Sequence, residues 1–178
     1  MIATGTPAPD FTVNDHNGNP VSLKDFKGKK VVLWFYPKAD TPGCTMEGKG
    51  FRDDYKTFEQ KNTVILGVSL DGEADNKAFA EKFDFPYPLL CDVDREIAMA
   101  YQAVNSKEDK YASRITYVID EDGNIAEAID QVNTDAHSKD LCSRLWIKGK
   151  TVLTGEKIQA IIFPDLTLGE GDAMMRPL

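Results

Sequence analysis

A cysteine at the start of a predicted helix is the residue of this chain best placed to do chemistry. The segment YPKADTPGCT, residues 36–45, follows an apolar run and contains Thr41, Pro42 and Cys44. Threonine is a favoured N-cap and proline is favoured at a first helical position, so the segment predicts a helix that begins near Pro42. Cys44 then lies in the first turn, where unpaired backbone N–H groups and the helix dipole stabilise a thiolate. The alternative is a small buried hydrophobe, which is the more common role of a cysteine.

The magnitude of this effect shows what else such a site needs. A free thiol with a pKa near 8.5 is roughly 3% ionised at pH 7, whereas a pKa of about 6 gives roughly 90% thiolate. The gain in the reactive form is about 30-fold. A fast reaction therefore also needs a positioned substrate and groups that stabilise charge on the leaving atom.

The other cysteines and the histidines form no recognisable disulfide or metal pattern. Cys91 and Cys142 are far from Cys44 in the sequence, and no CxxC pair occurs. We therefore expect neither a disulfide framework nor a zinc site, and we expect a reducing compartment, the cytoplasm. His16 and His137 are expected to lie at the surface without a role.

Composition and charge limit the class of protein. The 178 residues, 42% hydrophobic and 28% charged, are typical of one globular domain with an appendage. A net charge of −8 disfavours nucleic acids and anionic membranes as partners. The longest apolar run, residues 31–36, is too short to cross a bilayer, and the N-terminus lacks the pattern of a secretory signal.

Hydrophobic patterning predicts the elements that position Cys44. Buried strands are expected over 30–37, 63–70 and 86–90, and helices over 41–62, 72–83, 95–101 and 134–145. Two β-hairpins are expected, one from 11–14 and 20–22 and the other over 113–130. Strands that alternate with helices and end in a hairpin indicate an α/β fold with a central mixed sheet flanked by helices.

Two details of this prediction are specific enough to be tested. In the helix over 72–83, Ala74, Ala78 and Phe79 are expected to face inward.

Residues 146–178 differ in character from the rest, with recurring glycines and one strand candidate at 158–163. We treat this segment as a C-terminal extension of unknown role.

The residues around Cys44 resemble those of a known enzyme family. Pro37, Thr41 and Cys44 match the pattern PxxxTxxC, and the chain resembles the peroxiredoxins, in particular their bacterioferritin-comigratory or Q-type branch. Further segments match in order and spacing: GTPAPDFTV, VSLKDFKGKKVVLWFYP, ILGVSLD, PLLCD and SRITYVIDEDGNI. The resemblance implies a thioredoxin-like fold for a domain over 1–145, with an N-terminal β-hairpin.

The resemblance implies a thiol-dependent peroxidase that reduces hydrogen peroxide and organic hydroperoxides. Cys44 would attack the peroxide and become a sulfenic acid. Thr41 would bind the peroxide, Pro37 would shield the pocket from water, and Arg114 would stabilise the thiolate and the polarised oxygens. Thr41 is also compatible with a simple N-cap, and Pro37 with the end of a strand. Glu47 is expected to be solvated. No metal or organic cofactor is implied, because the sulfur performs the redox step.

The recycling of Cys44 is left open by the resemblance. Many Q-type members carry a second cysteine at the position of Lys49 or, in the next helix, near Ala80. One reading is therefore a one-cysteine enzyme recycled by an external thiol such as thioredoxin, glutaredoxin or glutathione. The other is internal resolution by Cys91 or Cys142, which requires Cα atoms within about 7 Å. The family allows a monomer or a weak homodimer.

A different class of function is also compatible with the same scaffold. In a non-enzymatic redox sensor or holdase, oxidation of Cys44 would change a binding surface. Turnover in the presence of a recycling thiol distinguishes the two, because a sensor would react once and stop.

Overall fold

A computed structural model of the chain describes residues 1–147. In chain order the elements are β1 (Thr12–Asn14), β2 (Pro20–Ser22), a 3-10 turn (Leu23–Phe26), β3 (Lys30–Phe35), α1 (Pro42–Asp53), α2 (Tyr55–Gln60), β4 (Thr63–Ser69), α3 (Glu73–Phe83), β5 (Leu89–Cys91), α4 (Glu96–Ala100), β6 (Ile115–Ile119), β7 (Ile125–Ile129) and α5 (His137–Ile147). The strand expected at 158–163 and nearly all of the expected extension lie outside the described residues.

The central sheet has five strands in the order β5-β4-β3-β6-β7. β3, β4 and β5 are parallel, whereas β6 and β7 run antiparallel to their neighbours. The expected mixed α/β sheet is therefore confirmed, and so is the N-terminal hairpin, in which β1 pairs with β2. β3 lies at the centre of the sheet and is covered on both faces, which explains its unbroken apolar sequence.

Two hydrophobic clusters cover opposite faces of the sheet, because successive side chains of a strand alternate in direction. Val31, Leu33 and Phe35 of β3 belong to one cluster. Val32 and Trp34 belong to the other, which also contains Cys44. Cys44 is thus part of the core on the face that α1 covers.

The helix expected over 41–62 is interrupted at Asp54, which separates α1 from α2. The backbone N–H of Asp54 bonds to the carbonyls of Arg52 and Gly50, and its side chain accepts a hydrogen bond of 2.8 Å from Ser138 on α5. Phe51 of α1 and Phe58 of α2 are buried in the same core on either side of the break. The apolar stripe was thus predicted correctly and the continuous helix was not.

The inward face of α3 differs from the prediction. Phe79 is buried as expected, but Ala74 and Ala78 are exposed and Asn76 is buried in their place. The Asn76 amide oxygen accepts hydrogen bonds from Tyr36 at 2.7 Å and Ser69 at 3.2 Å. These bonds satisfy a buried polar group, which explains how Asn76 can lie on the inward face beside Phe79 and Ala80. Among residues 1–147, no helix is long and apolar enough to cross a membrane.

Candidate active site

The loop between β3 and α1 carries the candidate site and is anchored on both sides. The N–H of Tyr36 bonds to the carbonyl of Val68 on β4 at 3.0 Å. The N–H of Ala39 bonds to the Asp71 carboxylate at 2.8 Å, just beyond the end of β4. Asp40 adopts a left-handed backbone conformation and pairs with Lys82 of α3 at 2.6 Å. These contacts define the position at which α1 begins.

Thr41 occupies the N-cap position of α1, as the sequence predicts, with an extended backbone and Pro42 following it. Among the described residues its hydroxyl accepts no capping hydrogen bond from the helix. Instead the hydroxyl donates to the carbonyl of Lys38 at 2.9 Å. Its oxygen lone pairs therefore remain able to accept a hydrogen bond from another group. Pro37, at the start of this loop, is partly exposed.

Cys44 lies in the first turn of α1 and is completely buried. Arg114 Nη2 donates to its sulfur at 3.3 Å. Arg114 comes directly before β6, and the pairing of Ile115 with Phe35 brings it to the end of β3. Gly43 permits this approach, since a Cβ at that position would lie 3.2 Å from Arg114 Nη2. The positive helix end and the guanidinium therefore meet at one sulfur, where each attracts negative charge.

Glu47 is a site residue that the sequence reasoning missed. It was expected to be solvated, but it is 1% exposed and forms an ion pair with Arg114 through Oε2. Burial raises the pKa of Glu47 to about 7, against the opposing effect of Arg114. The spacing already indicated that Glu47 is buried. Glu47 lies three residues after Cys44 and four residues before Phe51, so the three residues share one buried face of the helix.

His137 was expected at the surface, and this too is wrong, since it is 3% exposed. Its Nε2 lies 2.9 Å from Thr116 Oγ1 and 3.8 Å from Glu47 Oε1. Burial, with the charges of Arg144 and Arg114, lowers the pKa of His137 to about 4, although Asp140 opposes this. His137 is thus mainly uncharged at neutral pH, and its contact with Glu47 is not an ion pair there. The spacing again indicated burial, because His137, Leu141 and Leu145 follow one another at intervals of four residues along the buried face of α5.

Cys91, the first candidate for a resolving role, lies in β5, two strands away from β3. It is buried, and the Asn76 amide nitrogen lies 3.4 Å from its sulfur. Burial raises the pKa of the Cys91 thiol, although the hydrogen bond from Asn76 opposes this. A group with these properties is a poor nucleophile at neutral pH.

Cys142, the second candidate, lies on α5 and is partly exposed. Burial raises the pKa of its thiol to about 11, with a contribution from Asp54 and an opposing one from Lys61. In the part of the chain that the structure describes, Cys44, Cys91 and Cys142 are all free thiols. Within residues 1–147, no group of three or more His, Cys, Asp or Glu side chains is arranged to hold a metal ion.

Comparison with known proteins shows similarity over most of the chain. Residues 4–128 match the model of the AhpC/TSA family. The putative peroxiredoxin bcp of Coxiella burnetii is 40% identical over 149 residues, which cover 81% of this chain and 99% of that protein. A crystallised cysteine-to-serine mutant of Xylella fastidiosa PrxQ is 27% identical with a TM-score of 0.78, over 84% of this chain and 99% of that one. The bacterioferritin comigratory protein of Xanthomonas campestris, which has alkyl peroxide reduction activity, is 25% identical with a TM-score of 0.76, over 83% and 100%.

Proposed function

The chain belongs to the AhpC/TSA family and is a thiol-dependent peroxidase of the bcp and peroxiredoxin Q type, and we propose that Cys44 is its peroxidatic residue. The observation that carries this assignment is the contact of 3.3 Å between Arg114 Nη2 and Cys44 Sγ in the first turn of α1. An ionised sulfur is the nucleophile that the reaction requires, and both neighbours of this sulfur stabilise its charge.

In the proposed reaction, the Cys44 thiolate attacks the terminal oxygen of a hydroperoxide. The S–O bond forms as the O–O bond breaks, and the products are a sulfenic acid and a hydroxide or alkoxide that takes up a proton. Arg114 stabilises the charge that develops on the leaving oxygen. Thr41 accepts the hydrogen bond of the peroxide, because its own proton is directed to the Lys38 carbonyl. Pro37 limits the access of water to the same loop.

The substrates that we assign are hydrogen peroxide and organic hydroperoxides. The second class is supported by the alkyl peroxide reduction activity of the Xanthomonas campestris relative. Nothing in the reaction requires a metal or an organic cofactor, because the cysteine sulfur is oxidised and reduced in each cycle.

We assign the recycling of the sulfenic acid to an external thiol, in a one-cysteine cycle. A first thiol condenses with the sulfenic acid to a mixed disulfide and water, and a second thiol releases Cys44 and forms the external disulfide. Lys49 stands where many Q-type members have a cysteine, and burial raises the pKa of both Cys91 and Cys142. Thioredoxin, glutaredoxin or glutathione would supply the thiol, and a cytoplasmic monomer or weak homodimer is the state in which we expect this cycle.

Mass spectrometry after one equivalent of hydrogen peroxide, with a sulfenic-acid trap present, tests the proposal. The trapped adduct is expected on Cys44 in the wild-type chain and in the Cys91→Ser and Cys142→Ser variants, which serve as matched controls. The Cys44→Ser variant should neither form the adduct nor reduce peroxide. Full activity of that variant would refute the assignment of Cys44.

The same samples separate the remaining alternatives. A disulfide between Cys44 and either Cys91 or Cys142 would replace the one-cysteine cycle by internal resolution. A Cys44 adduct that forms once, without turnover when thioredoxin, glutaredoxin or glutathione is added, would favour the sensor or holdase. Steady peroxide consumption with one of these thiols is the result that we expect.

A further inference from the structure

A chain of polar side chains connects the buried sulfur to the first residue of the last described helix. Arg114 contacts Cys44 Sγ through Nη2 and Glu47 Oε2 through Nη1. The other oxygen of Glu47 lies 3.8 Å from Nε2 of His137, the residue at which α5 begins. Three separate segments, α1, the start of β6 and α5, thus converge on one carboxyl group.

Among these polar side chains, the Glu47 carboxyl group has an oxygen without a hydrogen-bond partner. Its side chain is fully buried, and within residues 1–147 its Oε1 has no hydrogen-bond partner. A buried oxygen of this kind is costly unless it acquires a partner. Without a polar group near Oε1, the Glu47 side chain is therefore expected to leave this position. Arg114 would then lose the group that holds its long and flexible side chain.

His137 is suited to satisfy that oxygen. Its ring is fixed by a contact of 2.9 Å with Thr116 and packs edge-on against Phe51, with centroids 5.5 Å apart. With the Thr116 contact in place, Nε2 faces Glu47 Oε1 at 3.8 Å, a polar contact longer than a hydrogen bond. A neutral imidazole accepts the proton of a carboxylic acid in one tautomer and donates to a carboxylate in the other. It therefore serves Glu47 in both protonation states.

We propose that His137 is a positioning residue for the reaction of Cys44, because it holds Glu47 in place and Glu47 in turn holds Arg114 against the sulfur. This inference rests on the proposed role of Cys44 and adds a requirement from α5, where His137 acts on the sulfur through Glu47 and Arg114. The reaction of Cys44 then depends on the correct docking of α5 against α1.

The test measures the second-order rate constant of Cys44 oxidation by hydrogen peroxide in single-turnover stopped flow with the full chain. His137→Phe keeps the ring packing against Phe51 but offers Glu47 neither donor nor acceptor. His137→Gln retains both, since an amide donates and accepts. Ser138→Ala is the matched control, because it removes a different polar contact of α5, the bond of 2.8 Å to Asp54 at the C-terminal end of α1. Thermal unfolding is measured for each variant.

We expect His137→Phe to lower the rate constant about 10-fold, and His137→Gln to stay within about 3-fold of the wild type. Ser138→Ala should lower the unfolding midpoint but leave the rate constant within about 2-fold. Should His137→Phe fail to fold, His137→Leu provides the same comparison.

Two results would overturn the inference. One is an unchanged rate constant in the apolar variant, and the other is an equal loss of rate in Ser138→Ala, which would indicate a merely structural role for α5. A wild-type chain that does not react with peroxide would instead refute the proposed function, so the two failures are distinguishable.

Discussion

Replacing Glu47 and His137 one at a time by glutamine is expected to change the pH dependence of stability in opposite directions. Burial raises the pKa of Glu47 from 4.5 to about 7 and lowers that of His137 from 6.5 to about 4. The two side chains are almost fully buried, so the folded state favours the uncharged form of each. The causes of each shift lie in burial and in charges other than the partner, so either group keeps its behaviour when the other is replaced.

The sign of each effect follows from which state binds more protons. For Glu47 the folded state binds more protons between pH 4.5 and 7, so its contribution to the free energy of unfolding falls as the pH rises. For His137 the unfolded state binds more protons between pH 4 and 6.5, so its contribution rises over that range. At about 1.4 kcal/mol for each unit by which the pKa differs between the two states, each contribution changes by roughly 3 kcal/mol in total. In the wild type the two contributions oppose each other between pH 4.5 and 6.5.

Urea unfolding at pH 4.5, 5.5 and 6.5 measures these contributions as the difference in free energy of unfolding between the wild type and each variant. For His137→Gln the loss of stability should grow by about 1 kcal/mol per pH unit over this range, because the proton difference between the two states is incomplete at both ends. For Glu47→Gln it should shrink by a similar amount. Phe58→Leu, which changes a buried side chain that does not titrate, should cause the same loss at every pH. Differences that do not vary with pH for the two glutamine variants, or that vary in the same direction, would refute the reasoning.

Three further substitutions test the packing and the chemistry of the site. Gly48→Ala should lower the thermal midpoint despite the helix propensity of alanine, because the new Cβ would lie 2.6 Å from Phe85 Cζ, and a raised midpoint would contradict this packing. Arg114→Gln should slow the oxidation of Cys44 by about 100-fold in stopped flow, and a loss below about 3-fold would remove Arg114 from the mechanism. Cys91→Ser should leave the rate of that first oxidation within about 2-fold, and a large loss would assign Cys91 a role before any resolving step.

Features that depend on neighbouring residues were predictable from the sequence. The apolar run of β3 predicts a strand buried on both faces, and Thr41 with Pro42 predicts the start of α1 at the observed residue. Cys44 follows from that start, because its position in the first turn depends only on the local sequence. Arg114 was indicated by resemblance to a family, and its contact with the sulfur in the structure agrees with that interpretation.

Features that depend on distant partners were not predicted correctly. The break at Asp54 accompanies a hydrogen bond from Ser138, 84 residues later in the chain. The inward face of α3 depends on the bond between Asn76 and Tyr36, 40 residues earlier. In both cases the departure from the prediction accompanies a polar contact that forms only when the elements pack together.

The difference between features set by neighbouring residues and features set by distant partners is clearest around Cys44. By itself the sequence determined that a cysteine stands at the positive end of a helix, because capping and helix geometry are local. Their spacing places Glu47 and His137 on buried helix faces, but their charged and polar types predict exposure, and only the tertiary structure decided that they are buried beside the cysteine. Glu47 meets Arg114 from 67 residues away, and His137 meets Thr116 from 21 residues away. Such polar groups are buried because packing supplies their partners, and no local pattern specifies which partners those will be.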